Sequence, residues 1–238
     1  FVLTGRWRFH WGRWGDAGEV VLEKGDIINI PTGIIRGFEN ICDDYGKIMS
    51  VLGGDDAGGG VIWAPQVIED AASHGLVLAE TGRLYDTKKG ERLPDGVQPM
   101  PLLTEEELSG FAEPTTREVL PNHVARYWDL HAMADRQPVQ VIGETGVLCD
   151  KPGFEVALVT RGSATTAMHR HDRPSVLMPV TGHWRVIWDG GETVLAPGDT
   201  ISMPSNLDHT AVPSMTGDAA LYHIVATDDP AGPTRAGA

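Results

Sequence analysis

The stretch "VTGHWRVIWD", residues 180–189, is repeated near the start of the chain as "LTGRWRFHWG", residues 3–12. The match continues downstream, where residues 18–40 align with residues 191–213 at a constant offset and without gaps. So many identities at fixed spacing indicate that the chain contains two copies of one structural unit. The identical pairs include Thr4/Thr181, Gly5/Gly182, Trp7/Trp184, Arg8/Arg185, Trp11/Trp188, Glu19/Glu192, Gly25/Gly198, Asp26/Asp199 and Pro31/Pro204.

Each copy has the pattern of a β-structure. Short apolar or alternating stretches such as "RWRFHW", "EVVL" and "DIINIP" are separated by Gly, Pro and Asp residues that favour turns. The chain has 29 glycines and 16 prolines, which suits short strands joined by many turns better than long helices. Regularly spaced short strands favour a sandwich or a small barrel.

Helical pattern is confined mostly to the region between the copies. Residues 64–76 predict a helix that ends at Gly75, and residues 103–111 predict a second helix with a threonine N-cap and an acidic first turn. Between them, residues 76–86 predict a hairpin and residues 88–101 a loop.

Composition and charge exclude several classes of partner. Acidic residues number 33 and basic residues 19, a net charge of −14, so nucleic acid and anionic membranes would be repelled. No apolar run approaches the roughly 18 residues that a membrane span needs. The two cysteines, Cys42 and Cys149, make no disulfide framework, which fits a reducing compartment. We therefore expect a cytoplasmic protein whose partner is a small molecule.

A short motif lies in the second copy at "PGDTISMPSNLDH", residues 197–209. It resembles the second of the two short motifs of the cupin superfamily of β-barrels, with Asn206 where glycine is usual. The positions that fit are Pro197, Gly198, Pro204 and His209.

The first cupin motif is matched upstream, with one extra residue before its first histidine. Ser175 stands where that motif has glutamate. The positions that fit are Gly162, His169, His171 and Gly182. Because the repeat extends the resemblance to both halves, the chain resembles a two-barrel cupin (a bicupin) of the gentisate and quercetin dioxygenase type. The resemblance also implies a homodimer or larger assembly.

The expected fold is therefore all-β, with tandem cupin (double-stranded β-helix, or jelly-roll) barrels and a short helical linker. We expect the first barrel at residues 1–62, the linker at 63–135 and the second barrel at 136–238. Phe1 aligns with Met178, so nearly all of the first motif's equivalent would precede it. We therefore expect the first barrel to be incomplete at its N-terminus.

The second barrel is the one expected to carry metal chemistry. The first copy has Arg36 opposite His209, and an arginine stays protonated and cannot coordinate a cation. Two roles remain open for Arg36: binding a substrate carboxylate inside the barrel, or pairing with an acid such as Glu39 or Asp43.

The candidate ligands are His169, His171 and His209. The first two lie two residues apart on a predicted strand and would project to one face, and His209 lies at a strand end that pairing could bring close. Three neutral imidazoles suit Fe(II), Ni(II), Cu(II), Mn(II) or Zn(II) and leave positions open for substrate. We expect one divalent metal per chain, with Fe(II) foremost; the alternative is a metal-free barrel in which these are ordinary polar residues.

Two further residues are substrate-binding candidates. His223 lies on a later strand, where it would either line the pocket or face solvent, and Ser175 would be a weak ligand, a water-holder or filler. The resemblance implies a metal-dependent dioxygenase acting on a small aromatic hydroxy acid or an enolic substrate. The alternatives are a non-redox isomerase, cyclase or lyase, and a non-catalytic barrel that binds a small molecule.

Overall fold

The C-terminal half forms two antiparallel sheets. The computed structural model describes residues 1–31, 33–52, 62–148 and 153–227, so Cys149 lies outside the described residues. The strands of these sheets are β10 (Val139–Ile142), β11 (Phe154–Thr160), β12 (Ser175–Thr181), β13 (Trp184–Trp188), β14 (Gly191–Leu195), β15 (Ile201–Met203), β16 (His209–Pro213) and β17 (Ala220–Ala226). The larger sheet has the order β10-β11-β17-β12-β15, and the smaller one has the order β14-β13-β16.

The two sheets enclose an apolar interior. Trp184, fully buried, stands at the start of β13 inside this interior. Burying so large a side chain between the sheets is a major contribution to holding them together. The cluster between the sheets consists of Leu177, Trp184, Val186, Leu195, Met203, Ala219 and Leu221.

Strands β12 and β17 are buried on both faces. Leu177 and Leu221 point into the barrel, whereas their neighbours Met178 and Tyr222 pack with Leu3 of the N-terminal half. Successive side chains of a strand point to opposite faces, so these two strands serve both the barrel core and the contact between the halves.

The N-terminal half repeats the smaller sheet. Its strands are β1 (Val2–Thr4), β2 (Trp7–Trp11), β3 (Gly18–Leu22), β4 (Ile27–Ile28), β5 (Arg36–Asn40) and β6 (Lys47–Ile48). The order β3-β2-β5 corresponds to β14-β13-β16, and Trp11 pairs with Arg36 as Trp188 pairs with His209. The duplication seen in the sequence is thus repeated in the hydrogen-bond register, and the all-β class is confirmed.

The α-helices found among the described residues lie in the middle of the chain. They are α1 (Pro65–Ser73), α2 (Glu105–Leu108), α3 (Thr116–His123) and α4 (Tyr127–Met133), with the short strands β7 (Leu76–Leu78), β8 (Leu84–Asp86) and β9 (Val124–Ala125). The first two helices and the β7-β8 hairpin confirm the predictions for residues 64–76, 103–111 and 76–86. Helices α3 and α4 are not in the sequence-based prediction. Among the described helices, none has the length and apolar character needed to cross a membrane.

Buried polar contacts connect the halves. The hydroxyl of Tyr222 on β17 donates to the carbonyl of Gly25 at 2.7 Å. Asp26, 6% exposed, accepts from the backbone N–H of Tyr127 at 2.9 Å and pairs with Arg126 at 2.7 Å. These bonds fix the start of α4 against the turn between β3 and β4.

Candidate metal centre

Three histidines converge at one edge of the C-terminal barrel. The ring centroids of His169 and His209 are 4.8 Å apart, and those of His171 lie 5.3 Å from His169 and 5.8 Å from His209. One ligand nitrogen from each ring lies within 4.8 Å of the others. The structure therefore brings the three predicted ligands together in a group that can hold a metal ion.

Backbone hydrogen bonds set this arrangement. The N–H of His169 donates to the carbonyl of His209 at 2.9 Å, and the N–H of His209 donates back at 2.8 Å. His169 and His171 do not lie on one regular strand as predicted, because β12 begins only at Ser175 and His169 makes an isolated bridge. The bends at residues 172 and 173 separate the histidines from β12.

The position of His171 depends on the turn before β16. The backbone N–H of Asn206 donates to the carbonyl of His171 at 2.6 Å. Asn206 has φ of 62°, in the left-handed region that favours glycine and tolerates asparagine. This conformation explains why asparagine can stand at a position where the resembled motif has glycine.

The free nitrogens of the cluster fit a metal. The Nδ1 atoms of His209 and His169 lie 2.8 and 3.3 Å from the carbonyl oxygens of Leu207 and Ala167. A bond of this kind holds the proton on Nδ1 and leaves the Nε2 lone pair for a ligand. The Nε2 atoms of His171 and His209 are buried and have no hydrogen-bond partner among the residues that the structure describes. Leaving such atoms unpaired is costly, and a cation would satisfy them.

The electrostatics favour uncharged imidazoles. Burial lowers the pKa of His171, the nearby His169 and His209 lower it further, and Asp172 opposes them. Burial lowers the pKa of His223 to about 3, with a further contribution from the other three histidines. Neutral rings at neutral pH are the form that coordinates a metal.

His223 lines the cluster. Its ring centroid lies 4.8 Å from that of His171, and its buried Nε2 has no hydrogen-bond partner. The sequence left open whether His223 lines the pocket or faces solvent, and the structure favours the pocket. Ser175 is 3% exposed, and its Oγ is likewise buried without a partner.

Arg36 lies apart from this cluster, on β5 of the N-terminal half. It is exposed, and its Nη1 donates to the carbonyl of Ile34 at 3.2 Å. Glu39, one suggested partner, forms an ion pair with Arg8 instead. The structure does not bring Arg36 to the histidines.

The cluster is more exposed around His169 than around His209. The segment before it is exposed, with Met168 48% exposed, whereas His209 is 1% exposed.

Comparisons with known proteins return solved structures only. No family model and no curated protein matches the chain. A cupin-2 domain-containing protein from Shewanella frigidimarina is 14% identical, with a TM-score of 0.34 over 42% of this chain and 91% of that one. A cupin 2 domain-containing protein from Halorhodospira halophila is 24% identical, with a TM-score of 0.34 over 38% of this chain and 63% of that one.

A third similar structure is the DMSP lyase DddQ from Ruegeria pomeroyi. It is 18% identical, with a TM-score of 0.36 over 40% of this chain and 49% of that one. Each likeness thus spans about two fifths of this chain. The all-β assignment rests on the strand order and on the registers that the two halves share.

Proposed function

We propose that this chain is a metal-dependent enzyme that holds one divalent ion through His169, His171 and His209. The observation that supports this most is that one ring nitrogen from each of the three histidines lies within 4.8 Å of the others, with the Nε2 atoms of His171 and His209 buried and unpartnered among the described residues. Carbonyl bonds hold the other nitrogen of His169 and of His209, so these two rings are already oriented for coordination.

The finer proposal is a dioxygenase acting on a small aromatic hydroxy acid or an enolic substrate. An ion held only by neutral imidazoles keeps its full charge, which favours a substrate that chelates through adjacent, partly anionic oxygens. When bound, the metal would supply the template for substrate and oxygen and the redox partner. The apolar interior around Leu177, Val186 and Met203 would keep bulk water from the reacting groups.

Metal analysis tests the proposal directly. The chain would be purified without chelator and without a metal-affinity column, beside His209→Ala and a matched control, His183→Ala, whose histidine is exposed next to β13. We expect about one metal ion per chain in the wild type and in His183→Ala, and a loss of metal in His209→Ala. A folded wild-type chain without metal, even after incubation with Fe(II) or Zn(II), would refute the metal site.

The identity of the metal separates the kinds of chemistry. Iron, together with oxygen uptake in the presence of a catechol-like acid, would support the dioxygenase. Stoichiometric zinc, with no oxygen uptake, would instead support a non-redox isomerase, cyclase or lyase in which the metal polarises a carbonyl.

A further inference from the structure

Within the described part of the chain, two polar groups near the histidine cluster have no hydrogen-bond partner. Ser175 Oγ and His223 Nε2 are both buried and form no hydrogen bond. Ser175 is 3% exposed and lies between β15 and β17, opposite Met203 on one side and Val225 on the other. Buried hydroxyl and imidazole groups normally find a partner, so this pair needs an explanation.

The register places both groups on the inner face of the larger sheet. His223 pairs with Leu177 across β12 and β17, and Leu177 points into the barrel core. Ser175 lies two residues before Leu177 and therefore shares its face. Because Ser175 pairs with Val225, it is a diagonal neighbour of His223, at a distance that a small ligand can bridge.

Among the described residues of the C-terminal half, no Asp or Glu is buried. Ser175 occupies the place where the resembled motif has glutamate, and its hydroxyl brings no negative charge to the site. Asp172 and Asp208, the acids next to ligands His171 and His209 in the sequence, are exposed, and Asp208 lies 4.0 Å from Arg170. The barrel cluster whose face the pair shares consists of apolar side chains.

We propose that Ser175 and His223 anchor a carboxylate that the ligand itself brings into the barrel. A hydroxyl and a neutral imidazole can each donate one hydrogen bond, and a carboxylate accepts both. The cation proposed above would attract the same group, so this inference rests on the proposed function. It narrows the substrate class to small carboxylic acids whose carboxylate lies between β12, β17 and the metal.

Ligand binding to the cobalt-loaded chain tests the inference without relying on turnover. Co(II) would be added to the full chain, and its visible absorption would be followed while glycolate or its neutral amide, glycolamide, is titrated. The variants are Ser175→Ala and His223→Leu, with His223→Gln as a variant that keeps an N–H donor. The matched control is Ser202→Ala, which alters an exposed serine on the neighbouring strand β15.

We expect wild type and Ser202→Ala to bind glycolate about tenfold more tightly than Ser175→Ala or His223→Leu, the effect of losing one charge-assisted hydrogen bond. His223→Gln should retain most of the affinity, and glycolamide should bind wild type about tenfold more weakly than glycolate. Equal glycolate affinity in all variants, or equal affinity for the amide, would overturn the anchoring role while leaving the metal site intact.

Cobalt stoichiometry separates the remaining outcomes. If wild type takes up cobalt but His223→Leu does not, His223 helps to hold the metal and is not a carboxylate anchor. If wild type takes up no cobalt, the metal site itself is wrong and the anchoring role falls with it.

Discussion

Asp26 and Asp199 occupy equivalent positions in the two copies but have different surroundings. Asp199 is exposed, and its Oδ2 accepts from the N–H of Ala196 at 2.8 Å. Asp26 makes the same turn bond, to the N–H of Glu23 at 3.0 Å, and is 6% exposed. Asp199→Ala therefore removes one turn hydrogen bond, whereas Asp26→Ala removes the equivalent bond together with further contacts.

The additional contacts of Asp26 set the expected difference. Its carboxylate also accepts from the N–H of Tyr127 at 2.9 Å and from Arg126 Nη1 at 2.7 Å. We assign about 1 kcal/mol to the turn bond and about 2 kcal/mol to the buried bond at the start of α4. The Arg126 pair adds only about 0.5 kcal/mol, because the arginine side chain is 45% exposed.

Asp26→Ala should thus lower the free energy of unfolding by about 3–4 kcal/mol and Asp199→Ala by about 1 kcal/mol. In a chain of this size the difference corresponds to roughly 5–10 °C in Tm. Urea unfolding followed by circular dichroism measures both, with unchanged m-values as the condition for comparing midpoints. Equal losses in the two variants would refute the view that Asp26 fixes the start of α4. Amide exchange at Tyr127 should rise in Asp26→Ala alone.

Three further predictions concern the site. Asn206→Gly should leave the stability within about 0.5 kcal/mol of wild type, whereas Asn206→Val should cost more than about 1 kcal/mol and weaken metal binding, since a β-branched residue resists positive φ; equal unfolding midpoints would contradict this. In the metal-free chain, the pKa of His223 is lower in the folded state than in the unfolded state, so the unfolded state binds more protons at acidic pH. The free energy of unfolding should therefore fall as the pH drops from about 6.5 towards 3, by at most about 1.4 kcal/mol per pH unit. His223→Leu should flatten that dependence in urea titrations at several pH values, and parallel curves would count against it. Ser175→Glu should raise zinc affinity about tenfold or more in competition with a fluorescent chelator and should abolish the response to glycolate; unchanged zinc affinity would mean that position 175 does not face the ion.

The repeat allowed much of the architecture to be predicted from sequence. Identical tryptophans at equivalent positions of β2 and β13 imply equivalent strands, and the structure shows matching registers, with Trp7 opposite Leu22 and Trp184 opposite Leu195. The convergence of His169 and His209 could also be predicted from the sequence, because the resembled motifs put them on two segments that strand pairing would bring close.

Helices α3 and α4 were harder to predict from the sequence. Pro121 interrupts the helical pattern of α3, and the start of α4 is fixed by Asp26, about a hundred residues away in the sequence. Local propensity carries no information on such a distant contact. A pattern search restricted to neighbouring residues therefore finds α1 and α2, the latter with its capping box from Thr104 to Glu107, but passes over α4.

The orientation of His223 was ambiguous for a related reason. On β17, Leu221 faces the barrel and Tyr222 faces the N-terminal half, so both faces of the strand are apolar. The alternation that normally distinguishes an inward from an outward residue is then missing. The contact with His171 and the pairing with Leu177 show which way the ring points.

The reciprocal backbone bonds between His169 and His209 have a consequence for how the centre could be altered. The spacing of these two positions is set by main-chain atoms, which are the same whatever side chains they carry. Exchanging one imidazole for a carboxylate or a thiolate would thus change the metal ligand while the backbone bonds that position it remain. Positions 169 and 209 could therefore carry different metal ligands on the same backbone, and single substitutions there would change the metal preference of the barrel.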